Sequence, residues 1–284
     1  MMGRTYLAAA ALFAVSVSGA VAQDRLDLGD PEQAMRASTK MFCSTEAGDT
    51  AIYWWSGALY SRTEGEKDRH LFDLQGMNIR QCAEFEDETR GLGYRGVSRE
   101  VMFFLDPESG KVLRTWDNPW TGETVEVVHV ANDPVNAREP SWSRTEDGTP
   151  RDLFGNAVFT EDGLLLQGGG AARLFYENPL GGDYQDYVGG KYHANEFLTG
   201  AFVVDDLLDA SKPEVEDAVI SWGRISGWLP WMKMGGRPGH IVIWTSGMRL
   251  NAWEDLPEVV RNEIDKNYPE YREPPPVDDT RPNE

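Results

Sequence analysis

Asp106-Pro107-Glu108-Ser109-Gly110 stands between two runs in which apolar and polar residues alternate, and no other segment constrains the fold as much. Proline presets the first turn position, Asp and Ser bond back to nearby backbone, and glycine accepts a positive φ. A chain written this way returns on itself as a β-hairpin. Glu64-Gly65 and Asn118-Pro119-Trp120-Thr121-Gly122 repeat the punctuation. The spacing predicts strands over Ala51–Arg62, Leu71–Phe85, Tyr94–Leu105, Lys111–Trp116 and Thr124–Val130, then Gly163–Gln167, Ala172–Tyr176, Tyr192–Val204, Ala218–Ile225 and His240–Ser246. Asp183–Gly190, polar and rich in Tyr and Gly, reads as a loop. Asp30-Pro31 opens a short helix to about Met41 by cap and first-turn logic. A second helix runs from about Leu256 to Asn267 and is ended by Pro269.

Strands in this number without interleaved helices imply a mainly β protein. The expected fold is a single-domain antiparallel β-barrel over residues 23–276, a calycin-like meander with a short N-terminal helix and a C-terminal helix. Residues 277–284, after Pro274-Pro275-Pro276, read as a disordered tail. Barrels of about eight or more strands can hold a small ligand inside.

Charge narrows the partners. With 47 Asp and Glu against 27 Lys and Arg, the chain carries −20, which argues against duplex nucleic acid and against an anionic lipid surface. Met1–Ala22 reads as a signal peptide: Arg4 supplies the positive start, Leu7–Ala20 the apolar stretch, and Ala20-Val21-Ala22 the small-residue cleavage site. The expected location is periplasmic or secreted, with no membrane span after signal removal. An oxidising compartment permits a Cys43–Cys82 bridge, and two separate buried thiols are the alternative.

Standard catalytic motifs do not occur: there is no nucleophile elbow, no Walker loop and no dinucleotide fingerprint. His70, His129, His193 and His240 are scattered without metal-ligand spacing, so neither a metal nor a cofactor is expected. The ten tryptophans are the strongest positive signal. Trp228-Leu229-Pro230-Trp231-Met232-Lys233-Met234-Gly235-Gly236-Arg237-Pro238-Gly239 gathers flat and polarizable side chains with two cations. It reads either as a binding surface for an aromatic ligand or as a structural loop closing the barrel end. With Trp116, Trp120 and Trp222, the candidate ligand-binding residues are Trp228, Trp231, Met232, Lys233 and Arg237.

Charged residues also interrupt strand runs: Arg80 shares a face with Asn78 and Cys82, Arg99-Glu100 breaks Val97–Leu105, Glu196 breaks Tyr192–Leu198, and Arg224 shares a face with Trp222. One face of a barrel strand is interior, and a charge there is costly unless paired or functional.

At Asp68-Arg69-His70-Leu71-Phe72, Gly76-Met77-Asn78-Ile79-Arg80-Gln81-Cys82, Asn118 to Val127, His129 to Asn136, the Trp228–Gly239 loop and Leu256-Pro257 to Tyr268-Pro269, the chain resembles the bacterial and fungal family catalogued as domain of unknown function 1838. The resemblance covers roughly Ser38 to Pro276. It implies an exported protein associated with bacteria that consume aromatic compounds, and it transfers no activity and no catalytic residue.

Three functions remain open at this point. The first is a cofactor-independent lyase or isomerase acting on a small hydrophobic or aromatic molecule such as a lignin-derived dimer. In it, His129 or His193 is the base, Tyr192 the acid, and Arg80, Arg224 or Lys233 holds the developing negative charge. The second is a periplasmic carrier for an apolar or aromatic ligand, and the third a carbohydrate-active protein.

Overall fold

Alternation in the sequence becomes alternation across one large sheet. A computed structural model describes residues 24–170 and 194–281. The Met1–Ala22 leader, the Ala172–Tyr176 strand, the Asp183–Gly190 loop, Tyr192 and His193 lie outside the described residues. Twelve strands are found among them: β1 (Ala51–Arg62), β2 (Arg69–Asp87), β3 (Gly91–Leu105), β4 (Thr115–Asp117), β5 (Thr124–Glu126), β6 (Val130–Asn132), β7 (Ser141–Trp142), β8 (Ala157–Phe159), β9 (Gly163–Gly170), β10 (Ala194–Val203), β11 (Val219–Ser226) and β12 (His240–Leu250). Three helices accompany them: α1 (Pro31–Lys40), α2 (Val204–Leu208) and α3 (Glu258–Asn267). Ten strands form one antiparallel sheet in the order β6-β3-β2-β1-β12-β11-β10-β9-β8, with β7 also paired to β3; β4 and β5 form a separate hairpin. The Asp106–Gly110 turn closes as expected, with Gly110 N–H donating to the Asp106 carbonyl at 2.8 Å.

The sheet is rolled. Adjacent strands lie about 4.8 Å apart, so in a flat sheet β3 and β10, five steps from each other, would be separated by about 24 Å. Yet the Glu100 carboxyl on β3 feels the charges of Glu196 on β10 and Arg224 on β11. Met102 and Phe104 of β3 likewise share a core cluster with Ala194 of β10. Among the described residues the roll does not close, since β6 and β8 are its two edges. The protein is therefore mainly β with a large antiparallel sheet.

Three apolar clusters define the layers. One end of the roll is filled by Leu59, Phe72, Phe104, Trp231, Met232 and their neighbours. The other is filled where α1 and α2 bring Ala37, Met41, Val204 and Leu207 against Tyr53, Leu164 and Phe202. On the convex side, α3 lays Val260 and Ile264 over Ile52, Met77, Val101 and Phe103 of β1–β3.

Local chemistry fixes the ends. Asp30 accepts from the N–H groups of Glu32 and Gln33, both at 3.0 Å, and Pro31 occupies the first turn of α1. A Cys43–Cys82 disulfide then ties the segment after α1 to β2. Buried Lys40 donates from Nζ to the carbonyls of Asp206, Leu207 and Asp209 at 2.6, 3.0 and 2.7 Å, satisfying the end of α2.

Several expectations need adjusting. The Tyr192–Val204 run ends one residue early, because Val204–Leu208 turns into α2 with Asp205 and Asp206 in its first turn. Thr124–Val130 splits into β5 and β6, and His129 lies between them with its ring engaged by other backbone. The expected disordered tail is held as far as Arg281. Arg95 donates to the carbonyls of Val277 and Asp279 at 2.8 and 3.1 Å, and Arg281 pairs with Asp133 at 2.9 Å.

Candidate functional site

The register decides which polar side chains point into the roll. Tyr53 opposes Asn78, Asn78 opposes Glu100, and Ala51 opposes Arg80, so Tyr53, Asn78, Arg80 and Glu100 share the concave face. Glu196 opposes Arg224 and Leu198 opposes Trp222, which brings these onto the same face from the other side. Asn78 and Arg224 are buried. Arg80, Glu100, Glu196 and Trp222 are half-buried and face the hollow side of the roll.

Each charge in the hollow has a defined partner. Arg224 donates from Nε to Glu196 Oε1 at 2.7 Å, and its Nη2 pairs with the same oxygen. Its guanidinium also lies 5.0 Å from the centre of the Trp222 ring. Arg80 donates from Nε to Asn78 Oδ1 at 2.7 Å and sits 5.6 Å from the centre of the Tyr53 ring. Burial, reinforced by the negative charge of Glu196, pushes the Glu100 carboxyl above the usual carboxylate range; Arg224, Arg80 and a hydrogen bond from Asn78 pull the other way. Burial likewise pushes the Tyr53 phenol up, and its hydroxyl donates to the Met41 carbonyl. The Trp55 indole covers Gly76, where a Cβ would lie 2.5 Å from the ring. Trp55 Nε1 is buried with no acceptor in reach among the described residues.

Two carboxylates in one enclosure thus receive different treatment. Glu196 is held as an ion pair, and Glu100 is pushed toward its protonated form by burial and by the charge of Glu196. Pairs whose surroundings push their protonation apart are what acid–base chemistry uses.

The other expected site residues are placed elsewhere. His129 is buried between β5 and β6: its Nδ1 accepts from Phe104 N–H at 3.2 Å and its Nε2 donates to the Leu113 carbonyl at 2.9 Å. Burial lowers its pKa to about 4, so it is a neutral brace with both nitrogens occupied. Trp116, Trp120, Trp228 and Trp231 pack on one another and on Phe72 in edge-to-face or tilted pairs, with ring centres 5.4 to 6.3 Å apart. Trp231 and Met232 are fully buried, and Asn118 Nδ2 donates to the Met232 carbonyl at 2.9 Å. Arg237 lies 4.8 Å from the Trp120 ring centre and pairs with Glu66, and Lys233 is exposed in a left-handed turn with φ 51°. The Trp228–Gly239 loop caps one end of the roll with Trp231 and Met232, while its Arg237 lines an open cleft with Arg69 and Trp120. Of the expected ligand-binding residues, only Trp222 stands beside the charged cluster. Glu100 and Glu196 were visible in the sequence as charges interrupting apolar runs, but only the register turns them toward each other. Among the described residues, no three His, Cys, Asp or Glu side chains gather as metal ligands would.

Fold and site together define a class: an antiparallel β protein whose rolled sheet gathers a small set of charged side chains on its concave face. The chain belongs to the family described as "Protein of unknown function (DUF1838)", which matches residues 48–284. No curated protein matches the chain. Among solved structures, immune modulator A of Aeromonas veronii aligns at 7% identity, covering 74% of this chain and 98% of that chain with a TM-score of 0.12.

Proposed function

We propose that the protein is an exported enzyme, periplasmic or secreted after loss of its leader, in which the rolled sheet acts as a barrel around a small hydrophobic or aromatic substrate. The chemistry is that of a cofactor-independent lyase or isomerase, and a lignin-derived dimer is the kind of molecule it takes. What supports this is the Glu100 carboxyl, enclosed with two arginines and beside a second carboxylate that is already paired. In the lyase form, Glu100 takes the proton of a substrate hydroxyl. That oxygen becomes a carbonyl as the neighbouring C–C bond breaks, and the bonding pair passes into the aromatic system. Arg80 or Arg224 offsets the charge this places on a phenolic or carbonyl oxygen, and Glu100 returns the proton to carbon. Trp222 and Trp55 supply the flat walls, and the Trp55 indole N–H supplies a donor.

The test is incubation of the purified protein with a panel of lignin-type dimers, following tryptophan fluorescence and product by mass spectrometry, in parallel with Glu100→Gln. Quenching with a new product that Glu100→Gln does not form supports the enzyme. Quenching without product means a carrier, and silence across the panel overturns both.

A further inference from the structure

The outer face of the sheet is unlike the inner one. On the convex side of β8–β12, the register presents Val158, Phe197, Val219, Ile225, Trp244 and Met248, with small neutral residues such as Thr199, Ser221 and Ser246 between them. No Asp, Glu, Lys or Arg stands at an outward position of these five strands, in a chain of which 26% is charged. Trp244 is 67% exposed, Phe197 53%, Val219 52% and Met248 45%. The equivalent face of β1–β3 is covered by α3. We infer that this uncharged face is the surface on which a second copy of this chain docks, sheet against sheet about a two-fold axis.

Size and charge both favour that occupant. Five strands at about 4.8 Å and roughly eight residues at about 3.3 Å give a footprint near 600 Å², before side-chain relief is added. A stable pair needs about 800 Å² from each partner, so the patch is close to the required size. It also lies at the upper end of the patch sizes, about 300–600 Å², that monomers ordinarily expose. Two chains of −20 repel over most of their surfaces, and this face is where they can meet without apposing carboxylates. A two-fold axis brings the same patch to both sides, as closed dimers require. The register also supplies relief for interdigitation, because Gly223 stands between Phe197 on β10 and Trp244 on β12 and leaves a hollow flanked by two rings. A lipid surface fits less well: the outward cation beside the patch, Arg62 on β1, is already paired with Asp68, and α3 interrupts any continuous apolar band around the sheet.

The test is sedimentation velocity on the full mature protein across the micromolar range, beside Trp244→Glu and the double variant Phe197→Glu/Trp244→Glu. The expected result is a dimer for the wild type and a shift of at least 100-fold in its dissociation constant for either variant, with the thermal midpoint of the diluted monomer unchanged. Because both side chains are exposed, loss of folding in Trp244→Glu would itself contradict the assignment. Trp244→Gln, which adds no charge, is the second probe, with an expected smaller shift in the same direction. A wild type that stays monomeric, or a dimer indifferent to these variants, overturns the proposal. So does a monomer that co-sediments with neutral phosphatidylcholine vesicles through Trp244.

Discussion

Glu100 on β3 and Glu196 on β10 interact across the interior although four strands separate them in the order of the sheet. The curvature that brings these two charges within electrostatic reach also makes the site. It turns a row of isolated polar interruptions into one enclosure, in which Glu196 is neutralised by Arg224 and Glu100 is left to exchange a proton.

Turnover by the proposed mechanism needs Glu100 ionised, so kcat/KM rises with pH through a midpoint above the usual carboxylate range. Glu196→Gln removes the negative neighbour and releases Arg224, and both changes stabilise ionised Glu100. The expected outcome is therefore a midpoint displaced toward lower pH in Glu196→Gln, measured as a pH–rate profile. A displacement toward higher pH would be the wrong sign.

The Arg224–Glu196 pair is buried on the arginine side and partly open on the other, with side-chain exposures of 9% and 23%. Arg224→Met leaves a carboxylate without its partner and is expected to cost up to about 3 kcal/mol, near the lower limit for breaking such a pair. The double variant Arg224→Met/Glu196→Gln should recover part of that loss. Denaturant unfolding of the three proteins measures it, and a double variant less stable than Arg224→Met would show that the pair is not the unit.

His129 ties the stability of the fold to pH. Its folded pKa of about 4 lies below the unfolded value of 6.5, so between those limits the unfolded chain binds the extra proton. Stability from this group is complete above pH 6.5 and is lost as pH falls to about 4, by roughly 3 kcal/mol. His129→Gln should be less stable at neutral pH and show a flatter decline over that window. An equally steep decline in the variant would place the effect elsewhere.

Cys43–Cys82 closes a loop of 39 residues between the end of α1 and β2. Replacing both cysteines by alanine is expected to lower the unfolding free energy by up to about 4 kcal/mol, with less lost if the open chain stays compact. The comparison to make is chemical unfolding of the variant against the oxidised and the reduced wild type. A variant as stable as the oxidised protein would mean that α1 is held by packing alone.

Much of this architecture was legible in the residues. Ala51–Arg62 coincides with β1, the Asp106–Gly110 turn closes between β3 and the chain leading to β4, and Asp30 caps α1 as its position before Pro31 foretells. Period and turn chemistry are local, and local signals survive folding. Facing is a pairing property, and it does not survive in one strand alone. Arg99 and Glu100 interrupt β3 together, yet pairing sends Glu100 into the roll and Arg99 outward to Asp133 and the carbonyls of Glu270 and Glu273. The tryptophans show the same limit. Trp231 fills the end cap and Trp244 stands in solvent, a contrast that composition cannot express.

The most direct measurement is the titration of Glu100 itself, by carbon-13 NMR of the glutamate side-chain carboxyls with the resonance assigned through Glu100→Gln. The account requires a midpoint raised above the ordinary value of 4.5, moving downward in Glu196→Gln. A Glu100 that titrates at or below 4.5, indifferent to Glu196, would contradict it.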